Sequence, residues 1–299
     1  MMGLARRPIL LPFLERRVRG ALGRRGVVHR FVETSAGRIG LYDIPGNGDL
    51  PTIVILHGIS ASGTGFASLF MRLRQHCKRV IVPDYPGHGL SSDPTVPLTV
   101  DALFDAMEGA LDELLGDAPV VVIGNSLGGA VGLDYVAKRE AKRPGSVKAV
   151  ILLSPAGARS SAEEFRALMG SFGVTNRGEA LAFLRRVYHR PQWIFQLLAH
   201  ELPANLRRRG VADLFDSITV ERSVPEDDLS RLGMPMLLVW GQSERLFPGS
   251  HLDWWKRHLP EHAIVEQPEG MGHCPHVDAP GRLAHRIVSF LRENVTMPA

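Results

Sequence analysis

Pro119–Lys138, PVVVIGNSLGGAVGLDYVAK, is the stretch from which the rest of the chain can be read. After the turn residue Pro119, the run Val120–Ile123 reads as a short buried strand. Gly124-Asn125-Ser126-Leu127-Gly128-Gly129 follows, and then Ala130, Val131, Leu133, Tyr135, Val136 and Ala137 recur at helical spacing. A strand that passes at once into a helix puts its middle residue on a sharp corner. The backbone there is disfavoured for anything but glycine. Gly124 and Gly128 flank Ser126 at two residues on either side, and without Cβ atoms they let strand and helix approach closely. Ser126 then projects its hydroxyl from a helix N-terminus, where the dipole and the unpaired N–H groups favour a nearby oxyanion. The plainer alternative is a glycine-rich turn with a helix-capping serine.

Composition bounds what such a site can belong to. At 299 residues, 44% hydrophobic and 22% charged, the chain can build one large core with an inserted subdomain. No apolar run approaches the length of a membrane span. Net charge is +4 and the sequence pI about 9.3, with much of the excess at the N-terminus. Two distant cysteines, Cys77 and Cys274, suggest no disulfide framework, and a cytoplasmic, reducing setting is expected. CxxC, HExxH and P-loop patterns are absent from the sequence. His273-Cys274-Pro275-His276 is read as a loop without metal, and no cofactor is expected.

Residues 1–26 carry seven arginines against one acid, Glu15, around the short apolar run Ile9–Leu14, which Pro12 interrupts. A surface helix with solvated arginines is the simpler reading of this basic arm. The alternatives are peripheral contact with anionic lipid and a clasp onto the inserted subdomain. No recognition motif points to nucleic acid.

The remaining strands come at regular intervals. Val27–Ser35 and Arg38–Ile44, separated by Ala36-Gly37, suggest an antiparallel hairpin at a sheet edge. Thr52–Leu56, Arg79–Pro83, Val147–Leu153, Met236–Trp240 and Ala263–Glu266 read as buried strands, and helices are expected near Thr99–Leu115 and Pro280–Glu293. Residues 157–230 break this alternation with helical patterns at Ala162–Met169, Glu179–Tyr188 and Gln192–Leu198.

The Gly124–Gly128 pattern, G-x-S-x-G between strand and helix, resembles the nucleophile elbow of the α/β-hydrolase family. Other segments agree with it. His57-Gly58-Ile59 looks like the family's oxyanion loop, and Asp84–Ser91 like its D-x-P-G-x-G-x-S loop. Gly241–Pro248 resembles W-G-x-x-D-x-x-x-P with Glu244 where aspartate is usual, and Gly270–His273 resembles the catalytic-histidine loop. The resemblance implies a mostly parallel eight-stranded sheet flanked by helices. The core would span 27–156 and 231–299, and a helical cap 157–230.

The resemblance also implies roles. Ser126 is the nucleophile, His273 the base with His276 as runner-up, and Glu244 the acid, since Ser154-Pro155-Ala156-Gly157 offers none after its strand. Were Glu244 only a surface group, Asp216, Asp227 or Asp228 would take its place. Backbone N–H groups of Ile59 and Leu127 form the oxyanion hole. His57, Asp84 and His88 are read as loop-shaping residues. Trp193 and Phe195 either line an acyl pocket or form the cap's own core.

The order Ser126, Glu244, His273 is the family's order. A serine at the elbow sets the chain apart from the haloalkane dehalogenases and epoxide hydrolases, which place aspartate there. Hydrolysis of small-molecule carboxylic esters through an acyl-enzyme ranks first, in a monoacylglycerol-lipase-like branch. A carbon–carbon bond hydrolase of ring-cleavage products is the alternative, although that branch commonly has tryptophan where Cys274 stands. A slow-turnover ligand receptor is the third.

Overall fold

The structure, a computed structural model, describes residues 8–295. Eight strands form one sheet: β1 (Val28–Thr34), β2 (Gly37–Pro45), β3 (Thr52–Leu56), β4 (Arg79–Pro83), β5 (Val120–Asn125), β6 (Val147–Leu153), β7 (Met236–Val239) and β8 (Ile264–Glu266). Their order is β1-β2-β4-β3-β5-β6-β7-β8. β2 runs antiparallel to both β1 and β4, and every other pairing is parallel. The expected edge hairpin is present, turning between Thr34 and Gly37.

The helices are α1 (Leu10–Gly23), α2 (Ala67–Leu73), α3 (Val100–Leu115), α4 (Leu127–Lys142), α5 (Ala162–Ser171), α6 (Arg177–Val187), α7 (Trp193–Leu198), α8 (Leu202–Leu206), α9 (Arg209–Ser217), α10 (Glu226–Ser230), α11 (Gly249–His258), α12 (Pro275–Asp278) and α13 (Pro280–Asn294). β3 shows why the four residues that follow Thr52 are uninterruptedly apolar. Side chains alternate across a strand, so Val54 and Leu56 join the core beneath α3, α4 and α11, while Ile53 and Ile55 join the core beneath α2 and α13. All five residues are buried. Both faces of the sheet are covered, and a polar residue would have no solvent to face.

Parallel pairing has a consequence for chemistry. The carboxyl ends of β3, β5, β6, β7 and β8 lie along one edge, so the loops that follow them converge there, as in other open α/β sheets. Those loops carry Ile59, Ser126, Ser154, Glu244 and His273.

Between β6 and β7 the chain inserts α5 to α10. Three of these match the expected helices to within a few residues. The short α8, α9 and α10 were not expected, because five to nine residues show too little periodicity to stand out. The insertion has its own apolar cluster, in which Val174, Phe183, Leu184 and Leu206 are buried. α1 is tied to the insertion by Glu201, whose buried carboxylate accepts the N–H groups of Ile9, Leu10 and Leu11, each at 2.7 Å. These are the otherwise unpaired donors of a helix N-terminus. Of the readings for the basic arm, the clasp is therefore seen from residue 9 onward; residues 1–7 lie outside the described residues.

Candidate active site

Ser126 sits at φ 54° and ψ −123°, between β5 and α4. Only three non-glycine residues among those described have positive φ, and the other two, Ser60 and Ser154, end loops or strands on the same edge of the sheet. The corner holds because the chain packs too tightly there for side chains. A Cβ on Gly124 would lie 2.2 Å from the Gly128 carbonyl oxygen, and one on Gly128 would lie 2.2 Å from that of Leu56. The backbone is pinned as well: Ser126 N–H donates to Leu153 O at 3.1 Å, and Ser126 O accepts from Gly129 and Ala156. Its hydroxyl makes no hydrogen bond to another described residue and faces a cavity.

Glu244 and His273 are brought together. His273 Nδ1 donates to Glu244 Oε2 at 2.8 Å, and both side chains are almost wholly buried. The other carboxylate oxygen, Oε1, accepts from Leu246 N–H at 2.7 Å and Phe247 N–H at 3.1 Å. Burial alone would push the Glu244 carboxyl up. The His273 ring and the N–H donors outweigh it and hold the group below its ordinary value, so it is an anion at neutral pH. The extra methylene of glutamate is accommodated by this backbone clamp. Asn125, next to Ser126, donates through Nδ2 to the His273 carbonyl at 2.9 Å and to Leu153 O at 2.8 Å, which ties the histidine loop to the elbow.

His276 does not compete with His273. Its ring is stacked on Phe66, with centroids 3.8 Å apart, and burial holds it neutral down to about 3. Asp216, Asp227 and Asp228 make no hydrogen bond to His273, whose Nδ1 is taken by Glu244.

Ile59 and Leu127 border the same cavity as Ser126. Neither backbone N–H donates to another described residue, so both residues bring a free donor to the border of that cavity. The loop that carries Ile59 is shaped by the residues expected to shape it. Tyr85 N–H donates to His57 Nε2 at 3.2 Å, which leaves the proton on Nδ1, 2.8 Å from Gly58 O. Ser60 N–H donates to His88 Nε2 at 3.3 Å, and His88 Nδ1 donates to Pro86 O. Asp84 accepts from Gly63 N–H at 2.6 Å and Leu90 N–H at 2.7 Å.

These buried groups make the fold acid-sensitive. Burial lowers His57 to about 4 and His88 and His276 to about 3, from an ordinary 6.5. Below pH 6.5 the unfolded chain therefore binds protons that the folded chain refuses, and stability falls with pH. Asp84, pushed up to about 7 by burial, works the other way. Three imidazoles against one carboxyl leave the unfolded chain binding more protons than the folded one between about pH 6 and 4, so acid destabilises the fold. Urea midpoints measured at pH 7, 6 and 5 should fall steadily; a constant midpoint would contradict this account.

The cavity over Ser126, of about 90 Å³, is walled by α5 through Phe165, Leu168 and Met169, and also by Phe172, Phe215 and Phe247. Trp193 and Phe195 are not among its lining residues. Trp193 stands in solvent, and Phe195 stacks on Tyr188 at 4.8 Å within the cluster of the insertion. That segment divides between the insertion's cluster and solvent, and the aromatic wall comes from α5 and its C-cap residue Phe172, from Phe215 on α9 and from Phe247 after β7. A second cavity of about 540 Å³ adjoins the first, sharing Leu127, Ala156, Gly157, Ile218 and Arg222, and runs between α3, α4 and residues 223–232.

Besides the Asn125 and Glu201 bonds, two further polar contacts were missed by sequence reasoning. Asn205 reaches from α8 to donate to Ser60 O at 3.0 Å, beside the Ile59 donor. Asp278 accepts from Gly272 N–H at 2.8 Å and His189 N–H at 3.1 Å, joining the histidine loop to the insertion. No local pattern marks either residue.

Comparison with known proteins agrees with this architecture. The family described as "Alpha/beta hydrolase family" matches residues 53–286. A pimeloyl-[acyl-carrier protein] methyl ester esterase from Xanthomonas campestris pv. campestris is 31% identical over 275 residues, covering 83% of this chain and 98% of that protein. A dihydrolipoyllysine-residue acetyltransferase component of an acetoin cleaving system, from Pseudomonas putida, is 25% identical over 85% of this chain. The chain spans 66% of that protein's length. Among solved structures, carboxylesterase CesB (YbfK) from Bacillus subtilis superposes with a TM-score of 0.71 at 18% identity, covering 94% of this chain and 99% of that one.

Proposed function

The chain belongs to the α/β-hydrolase family, and from that premise we propose that it is a serine hydrolase that cleaves carboxylic esters through an acyl-enzyme on Ser126. The observation that carries this reading is the shared cavity. A hydroxyl with no protein partner faces the same space as the Ile59 and Leu127 residues whose N–H groups are free, while a buried His273–Glu244 pair is tied to the same elbow by Asn125.

The proton chemistry follows from the tautomer. Because His273 Nδ1 donates to Glu244, Nε2 is the basic nitrogen and accepts the Ser126 proton as the hydroxyl attacks the ester carbonyl. Glu244 stabilises the imidazolium that results. The tetrahedral oxyanion is held by the two backbone donors. His273 then protonates the departing alcohol, and in the second half-reaction it deprotonates the water that frees the acid.

Substrate size is read from the cavities. The space above Ser126 is too small for a typical ligand, but together with its neighbour it falls within the usual range for small-molecule sites, roughly 300–1,000 Å³. The aromatic wall favours an apolar acyl or alkyl chain. Support for an ester comes from the relative named as a methyl ester esterase. The test is a series of p-nitrophenyl esters from acetate to dodecanoate, run beside a vinylogous diketone acid. Sustained turnover that improves beyond acetate is the expected result. A stoichiometric burst without turnover would make the chain a receptor, and cleavage of the diketone acid alone would make it a carbon–carbon bond hydrolase.

A further inference from the structure

Ten large apolar side chains are exposed among the described residues, and six of them lie on two helices: Ile9, Leu10, Phe13 and Val18 on or beside α1, and Trp193 and Leu197 on α7. α7 runs directly into a 3₁₀ turn, Ala199–Glu201, whose Glu201 holds the first N–H groups of α1, and Trp193 lies eight residues earlier, roughly 13 Å along the chain at about 1.5 Å per α-helical and about 2.0 Å per 3₁₀ residue. α1 is fixed a second time where Ser62 donates to Glu15 at 2.7 Å. What it turns outward is then set. Ile9, Phe13, Arg16 and Arg17 recur at helical spacing and are all exposed, and the Arg17 guanidinium lies 5.4 Å from the Phe13 ring centre.

Charge follows the same two segments. Residues 8–26 hold five arginines and one acid, and residues 177–209 hold seven arginines and two acids. All three acids are already engaged: Glu15 by Ser62 and Arg19, Glu179 by Thr175, and Glu201 by α1. Only Arg19 and Arg209 have a carboxylate within ion-pair distance among the described residues. The whole chain carries only +4, so the rest of the molecule is net acidic and the positive charge is gathered in the segments that carry the exposed apolar residues. Scattered single apolar residues need no explanation, but a cluster framed by one sign of charge marks an interaction surface.

We propose that α1 and α7 together form a docking surface for an anionic lipid bilayer, with Trp193, Leu197, Ile9 and Phe13 entering the interface and the arginines meeting the headgroups. An exposed tryptophan with aliphatic neighbours and arginines is the composition that lies in a headgroup layer. A protein partner of the same fit would be covered by apolar contact first and would not need so many unpaired cations. The proposal does not depend on the ester chemistry.

The protein contains its own probe. Trp193 is 70% exposed, whereas Trp240 and Trp254 are 4% and Trp255 is 0%. Mixing the full chain with vesicles of phosphatidylcholine plus phosphatidylglycerol should shift its emission to the blue and carry it into the vesicle fraction. Vesicles of phosphatidylcholine alone should bind it at least about tenfold more weakly, and raised salt should weaken binding to the anionic ones. Phe13→Ser with Arg16→Glu and Arg17→Glu should cut partitioning at least about tenfold while thermal unfolding and hydrolysis of a water-soluble ester stay unchanged. Trp193→Phe should remove the blue shift with partitioning largely retained. Absence of partitioning to anionic vesicles, or equal partitioning of the triple variant, overturns the proposal. So does self-association that Trp193→Ser with Leu197→Ser abolishes, or retention on DNA, where either occurs without vesicle binding.

Discussion

Ser126→Ala is expected to lower turnover of a p-nitrophenyl ester by on the order of 10⁵-fold, because nucleophile, base and acid act as a unit and loss of the nucleophile removes the acyl-enzyme route. The same change should leave the fold intact. The hydroxyl makes no hydrogen bond to a described residue, so its removal orphans no buried partner. Alanine keeps the Cβ, and the corner at φ 54° is held by backbone bonds to Leu153, Gly129 and Ala156 that the substitution does not touch. Substrate affinity should survive, since the aromatic wall and the free N–H groups of Ile59 and Leu127 remain. The variant should therefore bind a non-hydrolysed ester analogue within a fewfold of the parent. Residual turnover within about tenfold of the parent would mean that Ser126 is not the nucleophile. Loss of folding together with activity would mean that the elbow depends on the hydroxyl, contrary to its lack of partners.

Some of this was legible in the sequence, for reasons of range. Strands such as β3 and β4 could be placed because a strand covered on both faces has an unbroken apolar interior, here 53–56 and 80–82. The corner at Ser126 was legible because glycines at fixed offsets report a close backbone approach, and the approach found between Gly124 and Gly128 O would be closed by any side chain. The pairing of Glu244 with His273 was legible only because each lies in a recognisable loop at the carboxyl end of a strand. Composition carries no such information for the insertion. Its short helices form where neighbours cover them, and an apolar run such as Trp193–Leu198 reads alike whether it lines a cavity, fills a cluster or faces solvent. The structure separates those outcomes within one helix: Phe195 packs on Tyr188 and Trp193 is exposed. Contacts such as Asn205 to Ser60, or Glu201 to Leu10, join residues 145 and 191 positions apart and leave no local trace.

Glu244→Gln is expected to lower turnover by on the order of 10³ to 10⁴-fold, with little change in stability, because it presents the wrong partner to the imidazole. The backbone clamp on Oε1 decides which way a glutamine would face. Leu246 N–H and Phe247 N–H both donate to Oε1, so whichever atom of a glutamine side chain occupies that position must be an acceptor. The carbonyl oxygen takes it, and the amide NH₂ is then directed at His273 Nδ1. An NH₂ group can only donate, so Nδ1 must become the acceptor and the ring proton moves to Nε2. The nitrogen that should receive the Ser126 proton is then already protonated. Nothing else need move, since glutamine matches glutamate in shape. Glu244→Asp separates this effect from mere reach: the carboxylate still favours the right tautomer, but it is one methylene short and cannot satisfy the two N–H groups and His273 at once. It should fall between the parent and Glu244→Gln, and should improve relative to Glu244→Gln at every pH where the carboxylate is ionised. If Glu244→Gln retains activity within about tenfold of the parent, Glu244 only anchors its loop and does not set the tautomer of the base. If Glu244→Asp is as impaired as Glu244→Gln, position rather than tautomer is what the clamp controls.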